Sequence, residues 1–171
     1  MKSIRPLHTA LLISTLACMI AGCSLVELDE PGPSEAIAAP VGLPATAADL
    51  EFALAGDESR EWSALTFQLE GLDGFQFCRL DDTFTFFADG TYRYDGGEVL
   101  CGGADDRQVK TGIWELDFDN NQILFDEGTS LEYRATVGGL EENRVQLLGQ
   151  VDIFGQLLDI EGIYQIASTD D

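Results

Sequence analysis

Carboxylates are the side chains of this sequence with the most evident capacity for chemistry, because 31 of its 171 residues are acidic. Two adjacent pairs, Asp81-Asp82 and Asp105-Asp106, invite comparison with glycosidases, which place one carboxylate on each side of a sugar bond. Neighbouring residues of a strand point to opposite faces, so neither pair would face a single substrate. The sequence also contains no Gly-x-Ser-x-Gly, P-loop or dinucleotide-binding glycine motif. We therefore expect no enzyme activity, no catalytic residues and no cofactor.

A second group of polar residues has the spacing of the first ligands in a calcium-binding loop. Asp117, Asp119 and Asn121 alternate along the chain as calcium ligands do. The sixth position is Gln122, where such loops need glycine, and the twelfth is Gly128, where they place glutamate. We therefore predict a hairpin turn here and no metal site.

The N-terminal segment ends in a cysteine that can be modified. Lys2 and Arg5 precede an apolar run over residues 10–21, which has the length of a secretory signal and is too short to cross a bilayer comfortably. The run ends in Ile20-Ala21-Gly22-Cys23, which resembles the lipobox of bacterial lipoproteins. That resemblance implies cleavage after residue 22, lipidation of Cys23 (palmitate or a similar acyl chain) and a membrane anchor. Ser24 stands in place of the aspartate that favours inner-membrane retention, so we expect outer-membrane sorting.

Removal of residues 1–22 would change the composition in a way that excludes several activities. His8, the only histidine, would be lost, which excludes Ser–His and Cys–His nucleophile pairs and histidine-ligated zinc in the mature chain. Seven basic residues would remain against all 31 acidic ones, a net charge of −24. A surface this acidic repels nucleic acid, so we expect no nucleic-acid partner. It is typical either of a salt-rich habitat or of a plain solubility surface.

Two cysteines remain for pairing if Cys18 is removed with the signal and Cys23 carries lipid. An exported domain meets an oxidising environment, so a disulfide between Cys78 and Cys101 is the default expectation. Two reduced, buried thiols are the alternative. Metal binding by two sulfurs without histidine is less favoured.

Composition divides the mature chain into a tether and one domain. Residues 23–45 contain all four mature prolines and no aromatic residue, which predicts a flexible tether. All 16 aromatic residues lie between Phe52 and Tyr164. We therefore predict a single folded domain over residues 46–171, which is long enough for one hydrophobic core.

The pattern of this domain changes from helical to β-type. Thr46, with Asp49 three residues on, is a typical helix start, and Gly56 would end that helix after about two turns. From Trp62 onward apolar residues recur at every second position, which is typical of strands, and turns such as Asp89-Gly90 separate them. Eight strands can be counted at Leu65 to Leu69, Phe84 to Phe86, Tyr92 to Tyr94, Trp114 to Phe118, Gln122 to Phe125, Leu131 to Val137, Val145 to Val151 and Leu158 to Ile166.

The short connections between these strands leave no room for crossover helices. The sequence therefore predicts an all-β fold, an eight-stranded antiparallel up-and-down barrel with a short N-terminal helix, whose closure leaves no exposed edge. Gly138-Gly139 directly follows the sixth strand. Strands of about five to eight residues would make a shallow barrel, in which a filled interior competes with a cavity.

Three blocks occur in order along this domain: Leu54-Ala-Gly-Asp-Glu-Ser-Arg-Glu-Trp62, Cys78-Arg-Leu-Asp-Asp-Thr-Phe-Thr-Phe-Phe-Ala-Asp-Gly-Thr-Tyr-Arg-Tyr94 and Gly112-Ile-Trp-Glu-Leu116. They resemble the Ser-x-x-Trp start, the Cys-containing Asp-Gly-Thr hairpin and the Gly-x-Trp strand of the lipocalin-like lipoproteins of Bacteroidota. Arg60-Glu61 departs from the Lys-Thr type of sequence before the tryptophan. The resemblance covers about residues 50–167. It implies a lipocalin-like barrel, a lipid anchor and often a small hydrophobic ligand, without a known activity.

Aromatic density supports the same interpretation, an apolar ligand inside the barrel. The side chains that would line its site are Trp62, Phe84, Phe86, Trp114 and Tyr133, with Arg134 holding a polar head group. The alternative for the two tryptophans is ordinary barrel core, and cross-strand packing explains the phenylalanines equally well. The alternative function is a structural or interaction lipoprotein whose filled barrel docks a partner protein at the cell envelope. An internal cavity would distinguish the two.

Overall fold

The computed structural model of the protein describes residues 37–73, 76–101 and 109–167. Over these residues one α-helix precedes eight strands, which pair in chain order as a closed antiparallel barrel. The predicted all-β, up-and-down barrel with a short N-terminal helix is confirmed. The elements are α1 (Ala47–Ala55), β1 (Ser59–Leu69), β2 (Thr83–Phe87), β3 (Thr91–Asp95), β4 (Val109–Asp117), β5 (Gln122–Phe125), β6 (Tyr133–Glu141), β7 (Arg144–Ile153) and β8 (Gln156–Ile166), with 3₁₀ turns at Gln76–Cys78 and Phe118–Asn120.

Helix α1 begins and ends where the sequence predicts. The Thr46 hydroxyl accepts a hydrogen bond from the Asp49 amide at 3.2 Å, and Gly56 ends the helix at a φ of 68°. Leu50 and Leu54 are fully buried, and the indole of Trp62 donates to the Leu54 carbonyl at 2.8 Å. The helix therefore packs onto the hydrophobic core at one end of the barrel.

Strand β1 changes the phase of its alternation part-way along. Trp62 and Ala64 are buried inside, yet Phe67 and Leu69 line the interior further along the strand. Strict alternation from Trp62 would point Phe67 outward. The register shifts between Ala64 and Thr66, and this bulge restores the inward direction.

The glycine pair of β6 marks a close approach of the chain, because the strand runs through it to Glu141 before turning. A Cβ atom at Gly139 would collide with the carbonyl of Pro40, and the Leu140 amide donates to the Gly42 carbonyl at 2.9 Å. Arg144 also donates to the Ala38 carbonyl at 3.2 Å. Residues 38–42 therefore pack on the barrel, and this part of the predicted tether is not free. Residues 1–36, including Cys23, lie outside the described residues.

Several strands are longer than the sequence pattern indicates. β1 and β8 each have 11 residues and β7 has 10, more than the five to eight residues expected, whereas β2, β3 and β5 have four or five. The Asp117 turn is as predicted: its carboxylate accepts from the Asn120 amide at 3.3 Å, and Asn121 takes the left-handed conformation at a φ of 53°. Within the described ranges there is no helix long and apolar enough to span a membrane.

The disulfide between Cys78 and Cys101 is present, with the two Cα atoms 5.1 Å apart. It joins the segment before β2 to the segment after β3, on either side of the β2–β3 hairpin. Cys78 is fully buried. The default expectation of an oxidised pair is confirmed.

Candidate functional site

The end of the barrel away from α1 contains an open cavity of about 820 Å³. This volume lies within the range of small-molecule sites, about 300–1,000 Å³. The cavity is bounded by the inner faces of the strands and by the connections after β1, β3 and β5. The interior is therefore not packed solid, and the filled barrel of the alternative interpretation does not fit this part of the molecule.

The predicted lining residues divide between the cavity and the core beneath it. Phe84 and Tyr133 line the cavity. Trp62, Phe86 and Trp114 belong to the buried core at the α1 end, and the Trp114 indole donates to the Phe87 carbonyl at 3.1 Å. The core interpretation of both tryptophans is therefore correct, and Phe86 joins them.

Arg134 is placed on the outer surface, which corrects the expectation that it holds a head group inside. Its neighbour Tyr133 faces the cavity, so Arg134 points to the opposite face of β6. Its guanidinium forms ion pairs with Glu132 at 3.0 Å and with Glu127 at 3.5 Å. Its side chain is 47 % exposed.

Phe84 lies at the centre of a group of aromatic rings that forms one wall of the cavity. Its ring centroid is 5.2 Å from that of Tyr94, its cross-strand partner, and 5.5 Å from that of Phe125. The ring of Tyr164 stands perpendicular to it at 6.4 Å. Offset and edge-on pairs at such distances are favourable beyond the area they bury, so the apolar wall is well packed.

A buried carboxylate interrupts this apolar wall. Asp82 is 3 % exposed, and its Oδ2 accepts from the Tyr94 hydroxyl at 2.6 Å and from the Arg79 guanidinium at 3.3 Å. Arg79 also donates to the Tyr94 oxygen at 2.7 Å. Burial raises the pKa of Asp82, while the hydrogen bond from Tyr94 and the charge of Arg79 oppose that rise. The second oxygen, Oδ1, has no hydrogen-bond partner among the described residues.

The adjacent Asp81, in the turn before β2, has a different role. Its Oδ2 accepts from the amides of Glu98 at 2.7 Å and Val99 at 3.1 Å. The backbone hydrogen bond from Val99 is the main cause that lowers the pKa of Asp81. Asp81 thus holds the segment after β3. The second pair, Asp105-Asp106, lies outside the described residues.

Another carboxylate and the one lysine of the domain complete the polar lining. Asp126 accepts from the Ile113 amide at 3.0 Å through Oδ1 and from the Tyr92 hydroxyl at 2.8 Å through Oδ2, so both oxygens are occupied. Burial and this contact raise the pKa of Tyr92. The Lys110 ammonium lies 5.3 Å from the centroid of the Tyr94 ring. In the part of the chain with described structure, no cluster of three or more metal-binding side chains occurs.

Sequence reasoning missed Asp82 as a site residue, although a signal was present. Asp82 shares its phase with Phe84 and Phe86, the positions predicted to face inward. An acidic residue at an inward-facing position beside a barrel strand is unusual, and this position was the signal for Asp82.

Exposed apolar side chains lie in the connections at the open end. Phe77 is 72 % exposed before β2, Leu131 is 68 % exposed before β6, and Phe154 is fully exposed in the β7–β8 turn. Single exposed apolar residues are ordinary, but Leu131 also lines the cavity, and Phe77 and Phe154 lie in other connections at the same end of the barrel.

Comparisons of the chain with protein-family models, with curated proteins and with solved structures each find no match. The geometry of the cavity is therefore the basis for a functional proposal.

Proposed function

We propose that this protein binds a small hydrophobic ligand inside its barrel. The observation that carries the proposal is the open cavity of about 820 Å³, whose wall is largely apolar and aromatic with a few polar groups. Ligand sites are typically concave, mostly apolar and provided with a small number of oriented polar groups. The apolar side chains around the mouth would favour entry of such a ligand.

The proposal includes a lipid anchor on Cys23 that holds the domain at the outer membrane. The lipobox-like residues before Cys23 and the resemblance to lipocalin-like lipoproteins support this part. An anchored barrel would sit beside a source of apolar molecules. The competing function, docking of a partner protein at the envelope, remains an outcome of the binding experiment.

The direct experiment measures binding of a polarity-sensitive dye, N-phenyl-1-naphthylamine, and its displacement by fatty acids and retinoids. Dye emission is the suitable readout because neither tryptophan lines the cavity. The test variant is Val151→Trp, which adds an indole to a cavity-lining position of β7. The matched control is Gln150→Trp, one residue earlier and exposed on the outer face.

Val151→Trp should weaken dye binding by about tenfold or more, because the indole occupies the volume that the dye needs. Gln150→Trp should bind as the unmodified protein does. Equal binding by both variants would place the dye on the outer surface. Absence of binding by the unmodified protein would favour the partner-docking function.

A further inference from the structure

The unsatisfied oxygen of Asp82 is the feature of the cavity that a purely apolar ligand does not explain. Among the described residues, Asp82 Oδ1 is the one buried side-chain oxygen or nitrogen without a hydrogen-bond partner. Buried polar atoms are nearly always paired, with protein, water or ligand. Asp82 is 3 % exposed, and it lines the cavity together with Phe84. Oδ1 itself is enclosed, so a molecule bound in the cavity can supply the missing partner once the carboxylate turns toward the cavity that Asp82 lines.

The group that satisfies Oδ1 must be a hydrogen-bond donor. A carboxylate oxygen accepts and does not donate, so a fatty-acid carboxylate or an ester would leave Oδ1 unpaired, and the fatty-acid carboxylate would also repel its charge. The other oxygen is already occupied by Tyr94 and Arg79. The donor must therefore come from a hydroxyl, an amide or an ammonium group.

Charge balance favours a neutral donor over an ammonium group. The Arg79 guanidinium lies 3.3 Å from Oδ2 and already balances the charge of Asp82. The lining also contains the cation of Lys110, whose charge Asp126 balances. An ammonium would thus bring an additional charge into a largely apolar cavity, which is costly.

Two tyrosine hydroxyls of the cavity lining are available to complete the contact. No hydrogen bond joins the hydroxyl of Tyr133 or Tyr164 to another residue in the described part of the chain, and both side chains line the cavity. Burial raises the pKa of both groups, to about 12 for Tyr133, so each keeps its proton. A neutral phenol can donate to the oxygen of a ligand hydroxyl.

From these contacts we propose that the ligand is an apolar alcohol, whose hydroxyl donates to Asp82 Oδ1 while its hydrocarbon body lies against the aromatic wall. This inference rests on the proposed function and specifies the head group that the same cavity selects. Tyr133 or Tyr164 donates to the oxygen of that hydroxyl.

The experiment compares ligands with one twelve-carbon chain and different head groups. Dodecanol, its methyl ether, dodecylamine and dodecanoic acid each displace the naphthylamine dye at about pH 8, where carboxylates are ionised. The ether keeps the oxygen and has a methyl group in place of the donor proton. Dodecanol should displace the dye at a concentration about tenfold lower than the ether, since a hydrogen bond to a charged acceptor is gained.

Asp82→Asn tests the acceptor itself. The amide oxygen can accept from Tyr94 and Arg79, which turns its NH₂ group toward the cavity and removes the free acceptor. The preference for dodecanol over the ether should fall to about onefold. Asp159→Asn is the matched control, since Asp159 is exposed on the outer face of β8, and it should keep the preference. Circular dichroism establishes that both variants are folded.

The outcomes separate the two proposals. Equal displacement by dodecanol and its ether, or tighter binding of the amine or the acid, overturns the alcohol inference and leaves ligand binding intact. If the Asp82→Asn variant does not fold, the head-group series on the unmodified protein still decides. Failure of every ligand and of the dye to bind overturns the proposed function.

Discussion

Single residues in and beside the strands of this barrel take their roles from the direction in which their side chains point. Asp81 and Asp82 are chemically identical neighbours, yet one holds backbone amides outside and the other lies in the cavity wall. Tyr133 and Arg134 divide in the same way. Because alternation has a period of two, a one-residue change of phase reverses the role of a side chain.

We expect the localisation of the protein to depend on Cys23. Cys23→Ala removes the thiol that a lipidation reaction would modify, so the variant should move from the membrane to the soluble fraction, since lipid chains supply the anchor. Fractionation of cells followed by immunoblotting measures this, with Cys18→Ala as the control that should remain at the membrane. Sedimentation of the Cys23→Ala variant with outer membranes would contradict the lipobox interpretation.

At the scale of elements, irregularities in the strands determine where particular residues lie. The bulge in β1 turns Phe67 and Leu69 inward, and the bulge in β6 accommodates the chain at Pro40. The disulfide joins the two ends of the β2–β3 hairpin beside the cavity mouth, where Cys101 contributes to the lining.

Loss of this disulfide should destabilise the domain substantially. The double variant Cys78→Ala, Cys101→Ala should lower the free energy of unfolding by about 2–5 kcal/mol, because the unfolded chain gains freedom. Urea unfolding followed by tryptophan emission measures the change. The unmodified protein in reducing buffer is the control and should show a similar loss. Unchanged midpoints in both samples would show that the bond carries little stability.

At the scale of the whole molecule, closure of the barrel and its negative charge have opposite effects on the stability of the folded state. Pairing of β1 with β8 removes every sheet edge, which stabilises the barrel and protects it from association. The formal net charge of the full chain is −22, and repulsion among these charges opposes the compact state. The barrel must therefore remain folded against its own surface charge.

Thermal stability should therefore rise with salt. The screening length shortens from about 30 Å at 0.01 M salt to about 8 Å at physiological ionic strength, so repulsion weakens over this range. The melting temperature, followed by circular dichroism, should increase between these sodium chloride concentrations, whereas sucrose at equal osmolality controls for solute exclusion. A melting temperature that is indifferent to salt would indicate that the acidic surface serves solubility alone.

Local patterns were sufficient to predict the elements of this protein. The cap at Thr46, the end at Gly56 and the alternation of apolar residues each depend on neighbours within a few positions, so the helix, the eight strands and their up-and-down order could be derived from the sequence. The disulfide could be predicted because two cysteines remain in the mature chain and an exported domain meets an oxidising environment. Each of these features depends on residues that are close together in the sequence.

Only the tertiary structure decided what lies inside the barrel. The cavity depends on strand lengths, on the bulge in β1 and on closure of β1 against β8, which joins residues far apart in the sequence. The position of Asp82 beside Tyr94 and Arg79, with one oxygen unpaired, depends on the same closure. Side-chain direction along a strand is local, but what a side chain meets across a closed barrel is not. This is why the fold could be predicted, whereas only Phe84 and Tyr133 of the site were.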